Sequence, residues 1–167
     1  MTHPQSEHPQ LLQVALLGRL SGGGSTTSSG GVVYAGGGTP ILPQAGEIDS
    51  VDNLFSYLQQ EVQGAVSDVT LLNFCESSVG NLAWLESHDA RYDATAYKHK
   101  RFYPLEGCFL CCCGNETAAA FRHKAEPVRR GHRTKGKGLT GSVFLPRCAL
   151  LCQKNNIHVK TTLKCCD

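Results

Sequence analysis

Charge and aromatic rings are scarce in this chain. Only 18% of its 167 residues are Asp, Glu, Lys or Arg, aromatics make up 7%, and there is one tryptophan. Few aromatics leave little to stack on unpaired bases. No apolar run reaches the length that spans a bilayer; residues 11–17 (LLQVALL) are far too short. No Lys or Arg precedes that run, as a secretory leader would require. An intracellular protein, cytoplasmic or nuclear, with reduced thiols is therefore expected. There is no Gly-Lys-Ser/Thr to mark a phosphate loop, no internal repeat, no coiled-coil heptad and no Asp-x-Glu. Val, Leu, Ile and Phe together supply 39 residues, little above the share found in disordered chains.

Glycine and cysteine are plentiful instead, at 18 and 9. Ten of the glycines fall between Gly18 and Gly46. Glycine loses the most backbone entropy on ordering, and the accompanying Ser and Thr bury little apolar area to offset it. Residues 1–46 thus read as a flexible Gly/Ser-rich region, with at most a short helix over 11–20. Residues 47–100 read as a small helical unit. Val51, Leu54, Phe55, Leu58 and Val62 recur at helical spacing behind a cap at Asp49 or Ser50, which predicts a helix over 50–63. Its apolar face suits either a core or the groove of a protein partner. A second helix from Ser67 or Asp68 through Cys75, a break at Gly80 and a third helix over 82–97 complete the unit. Residues 101–167 read as a basic Cys/His-rich tail. Within it, 122–137 has no apolar period, and the alternation of Ile157, Val159, Thr161 and Leu163 suggests one strand of a short β-hairpin. The expected fold class is mostly irregular or disordered, with a small α-helical unit at about 50–97 and a short hairpin near the C-terminus.

Charge divides along the same line. Residues 1–100 carry four Lys/Arg against ten Asp/Glu, and 101–167 carry twelve against four. Seven cations lie within 122–137: Arg122, Lys124, Arg129, Arg130, Arg133, Lys135 and Lys137. Such a run attracts phosphates without needing a fold, so sequence-independent nucleic-acid contact is the expected activity, with a solvated loop or localisation signal as the alternative. Cys108 with Cys111 and Cys148 with Cys152 are pairs whose spacing lets one turn offer two zinc ligands, which makes zinc the candidate cofactor and unligated thiols the alternative. The reading is a small binding or regulatory protein, with enzymatic activity not expected.

The stretch His88–Ala96 contains H-x-A-x-x-D. It resembles the third motif of the DEDDh 3′→5′ exonucleases, a family with a ribonuclease-H-like fold and two divalent metals. The resemblance implies His88 as general base and Asp93 as metal ligand. It covers nine residues, and the family's Asp-x-Glu is missing: Glu47-Ile48-Asp49 has the reverse order. The alternative reading is therefore an inactive remnant or truncated isoform of such an enzyme. A truncated reading of some longer gene would also account for the change of character after about residue 97.

Overall fold

The computed structural model describes residues 14–18, 22–99, 105–112 and 115–161. They fall into two compact units, one of Gly23–Arg147 and one built from the described parts of Met1–Gly22 and Cys148–Asp167. In chain order the elements are β1 (Ala15–Leu17), α1 (Gly24–Thr27), β2 (Val32–Tyr34), α2 (Val51–Val62), α3 (Asp68–Ser87), β3 (Leu110–Cys111), α4 (Ala119–Arg122), β4 (Gly131–Arg133), α5 (Phe144–Lys154) and β5 (His158–Lys160), with 3-10 turns at Pro43–Ala45 and Thr140–Val143.

The larger unit is organised on β4. This strand lies between β2 and β3 and pairs antiparallel with both, so that His132 sits opposite Val33 on one side and Leu110 on the other. Its core has two clusters. Ala35, Ile41 and Leu82 pack with Val33, Tyr92 and Ala94, while Leu42, Leu110 and Val128 pack with Ala45 and Ala96. Helix α2 starts where Ser50 accepts a hydrogen bond from the Asn53 amide, and it ends at Gln63 in the left-handed region. Its most buried side chains are Leu54 and Tyr57; Phe55 and Leu58 are half-buried.

Helix α3 is one continuous rod of 20 residues, and Gly80 does not break it. A mid-helix glycine costs about 1 kcal/mol relative to alanine. Here the buried face made by Leu71, Cys75, Ser78 and Leu82 continues on both sides of Gly80 and outweighs that cost. The expected separate helices around 68–75 and 82–97 therefore merge, and the chain after His88 is extended rather than helical.

The expectation of a mostly irregular or disordered chain is overturned. Residues 22–46 are ordered in two ways: they carry Val33, Ala35, Ile41 and Leu42 into the core, and their backbone lies close to other backbone. Thr134 N donates to Gly31 O at 3.0 Å, Ala35 N to Arg130 O at 2.9 Å and Gly141 N to Ser29 O at 3.1 Å. Gly141 has to be glycine: a Cβ there would collide with the Thr26 carbonyl and with Ser29. Residues 122–137, read as lacking structure, hold the central strand.

In the smaller unit β1 and β5 run parallel, with Leu16 opposite Val159. The short helix expected over 11–20 is a strand where it is described, at Ala15–Leu17; residues 1–13 and 19–21 lie outside the described residues. The expected C-terminal hairpin is not formed among the described residues; Leu163 of its expected strand lies outside them. The segment before the turn at Asn155–Asn156 is helix α5, and β5 pairs with a strand from the other end of the sequence. Pro146 sits in the first turn of α5, where its missing N–H would have had no helical partner. Among the described residues, no helix is long and apolar enough to cross a membrane.

Candidate functional site

Three successive basic positions on and before β4 organise the larger unit. Arg130 is fully buried, and so is the Asp49 carboxylate it meets. Its Nε and Nη2 each donate to one carboxylate oxygen at 2.8 Å, a bidentate pairing. Asp49 also accepts from the Gly37 amide at 2.9 Å and from Asn53 Nδ2 at 2.7 Å. Burial alone would raise the Asp49 pKa; the Arg130 hydrogen bonds, the Gly37 amide and Asn53 override it and hold the carboxyl below its ordinary range. The guanidinium lies over the Tyr57 ring, 5.2 Å from its centroid. This constellation ties the glycine-rich segment, the start of α2 and β4 together at one point.

His132 occupies the next inward position. Its Nδ1 is 3.0 Å from the Arg130 carbonyl and its Nε2 is 3.0 Å from Thr39 Oγ1. A carbonyl can only accept, so Nδ1 carries the proton and Nε2 accepts from the Thr39 hydroxyl. Tyr92 meets the ring edge-on. Burial lowers the His132 pKa, against the smaller opposing effect of the Arg130 carbonyl, so the ring is held neutral.

Arg129 faces a cavity of about 330 Å³. Its guanidinium pairs with Glu47, its backbone amide donates to Glu47 Oε2 at 2.7 Å, and its Nε donates to the Tyr97 carbonyl at 3.1 Å. Lys98, His99, Thr117 and the buried Glu116 also line the cavity. Both charge signs converge there, so its walls suit a polar group better than a hydrocarbon surface.

The remaining sequence candidates are scattered. Arg133 is buried and donates to the carbonyls of Leu105 and Gly138, at 3.2 and 2.7 Å. Lys135 pairs with Asp93 at 2.9 Å. Arg122, Lys124 and Lys137 are exposed. His88 caps the end of α3, where its Nδ1 lies 2.7 Å from the Trp84 carbonyl. Asp93 accepts from the Thr95 hydroxyl and amide and from Lys135, and these bonds pull its pKa down to about 2. Cys111 on β3 is buried, with its thiol 3.5 Å from the Gly131 carbonyl, and Cys108 precedes it in a half-buried loop. Cys148 and Cys152 lie one turn apart on α5, in the other unit. Among the described residues, no group of three or more His, Cys, Asp or Glu is placed to hold a metal ion.

Comparison with known proteins gives a consistent answer. No family model matches the chain. Over 92 residues, 53% of the chain, it is 41% identical to the 3-oxo-5-alpha-steroid 4-dehydrogenase of Comamonas testosteroni. Its fold superposes on the crystal structure of the 3-ketosteroid-delta4-(5alpha)-dehydrogenase from Rhodococcus jostii RHA1, solved in complex with 4-androstene-3,17-dione, with a TM-score of 0.85 and 26% identity. The likeness is to steroid dehydrogenases. It is a partial one: the chain spans 17% of the Comamonas protein and 33% of the Rhodococcus protein, although 90% of the chain itself is covered in the latter match.

These findings overturn both functional readings of the sequence. The resemblance to the exonuclease motif is contradicted, since His88 and Asp93 lie in a chain whose relatives are steroid dehydrogenases. The nucleic-acid reading falls with it, and the structure supplies the physical reason. Arg129, Arg130 and Arg133 are bound to carboxylates and carbonyls of their own unit rather than displayed to phosphates, and the exposed Lys135 is paired with Asp93. Sequence reasoning missed Thr39, and it gave Glu47, Asp49 and His132 other roles than the ones the structure shows. One signal was present: two acids flanking Ile48 match the adjacent Arg129 and Arg130, which turns the reversed Asp-x-Glu into a charge complement.

Proposed function

We propose that this chain forms a folded part of an oxidoreductase acting on 3-keto-5α-steroids, introducing a double bond between C4 and C5. One observation carries this reading: nine tenths of the chain superposes on a steroid dehydrogenase, with a TM-score of 0.85 at 26% identity. The Comamonas dehydrogenase, whose name states a similar activity, is 41% identical over 92 residues. The chemistry removes one hydrogen from C4, where the neighbouring ketone acidifies it, and one from C5. The alkene that forms is conjugated with the ketone, and two electrons pass to an acceptor. The cavity beside Arg129 has charged walls and is a poor match for a steroid nucleus, which gains most from apolar surroundings. The role of this chain is that of framework: Asp49, Arg130 and His132 fix the glycine-rich segment on β4.

The test is a chimera in which the chain replaces the matched third of the Rhodococcus enzyme. It is supplied with 5α-androstane-3,17-dione and a dye as electron acceptor. Formation of 4-androstene-3,17-dione is the expected result. A folded chimera that binds and converts no steroid would refute the reading.

A further inference from the structure

Among the described residues, the sheet of the smaller unit has two strands. Parallel strands normally occur in sheets covered on both faces, and a two-stranded sheet on its own is marginal in water. Here β1 and β5 are parallel, yet Val14, Leu16, Leu17 and Val159 are 49%, 55%, 63% and 48% exposed. The two strands are not equivalent. β1 reads Ala-Leu-Leu after Val14, the continuous apolar run of a strand with neighbours on both sides. β5 reads His-Val-Lys, and charged or polar residues flanking one apolar position are how natural sheets blunt an outer edge.

The hydrogen bonds say which backbone groups face away from β5. His158 N donates to Val14 O at 3.2 Å, and Gly18 N donates to Lys160 O at 2.8 Å. Even-numbered residues of β1 thus bond toward β5, and alternation along the strand turns Ala15 and Leu17 to the opposite edge, which no other described strand pairs with. We propose that this second edge of β1 docks a further apolar strand, so that β1 is an interior strand and β5 the outer one. The occupant is polypeptide corresponding to the part of the Rhodococcus fold outside the 33% matched here. The identity of the occupant rests on the steroid-dehydrogenase reading.

Residue-resolved amide hydrogen exchange on the free chain and on the chimera tests this without needing catalysis. In the free chain, the Ala15 and Leu17 amides should exchange within about tenfold of the unstructured rate. In the chimera both should slow by about 100-fold or more, while Val159 keeps its free-chain rate. The variant Leu17→Pro removes the outward donor and should abolish the slowing at Ala15; Val159→Pro should leave it intact. Three results would overturn the proposal: Ala15 and Leu17 protected in the dilute free chain, protection that appears merely on raising its concentration, or slowing at Val159 in place of β1. A chimera that protects β1 yet forms no alkene would sink the proposed reaction and leave the docking edge standing.

Discussion

The larger unit buries an ion pair completely, whereas the smaller unit exposes the apolar side chains of its two strands. In the first, Arg130 and Asp49 have no exposed side-chain surface, and every polar contact around them is short and directed. In the second, the side chains of β1 and β5 are all exposed. A buried cation is tolerable only where its charge is paired, and the bidentate carboxylate pairs this one, although Arg130 Nη1 makes no hydrogen bond. An exposed parallel pair has the marks of a structure that borrows its cover. Stability should therefore be concentrated around β4 and thin at β1.

The largest effect should come from breaking the buried pair. Asp49→Ala leaves the Arg130 guanidinium buried without its carboxylate and should cost about 3–5 kcal/mol, read as a lowered urea midpoint. Replacing both partners, Asp49→Leu with Arg130→Met, should recover most of that loss. A midpoint unmoved by Asp49→Ala would mean that the pair does not hold the larger unit together.

Gly36→Ala should cost about 1–3 kcal/mol, because the added methyl would meet Asp49 Oδ2 at 2.6 Å and Arg130 Cδ at 2.9 Å, both held by the pair. A neutral outcome in the same urea titration would show that the glycine-rich segment is not pressed against β4.

His132 adds a smaller, pH-dependent term. Its pKa is lowered in the folded state, so the unfolded chain binds the proton more readily. Its contribution is complete above about pH 6.5, the value of a free histidine, and declines as pH falls below it toward the depressed folded value. Stability measured from pH 7 down to 5 should fall in the wild type and fall less in His132→Gln. Identical slopes would place the sensitivity elsewhere. The smallest effect belongs to the smaller unit: Leu16→Thr should change the unfolding free energy from urea titration by no more than about 0.5 kcal/mol, since the side chain is already 55% exposed.

The same contrast explains what could be read from the sequence. Helix α2 was legible because its cap, Ser50, and its apolar residues lie within a dozen positions of one another and obey a single period. Strand β4 was not, because Arg130, His132 and Arg133 stand where a strand buried on both faces would call for a continuous apolar run. The partners that make those residues acceptable are remote, with Asp49 separated from Arg130 by 81 positions and Thr39 from His132 by 93. The glycine-rich segment reads as flexible because glycine and serine dominate it, although Ala35, Ile41 and Leu42 within it belong to the core. The rest of its order comes from backbone approach, which leaves no apolar pattern. At the candidate site, the basic residues were visible as a run, but their charge suggested a solvent-facing role that the buried acids contradict. Strand β1 pairs with a segment more than a hundred residues away, so a local period could not reveal it.

The most direct test of the account compares amide exchange across the two units of the isolated chain. Ala35, Thr134 and Arg133 donate within the β2–β4–β3 sheet, while Gly18 and His158 donate within the β1–β5 pair. The account predicts that the first three exchange only through global unfolding, tracking the urea-derived stability, while Gly18 and His158 exchange through local opening at a rate insensitive to Asp49→Ala. Equal protection in both sets, falling together in that variant, would contradict it.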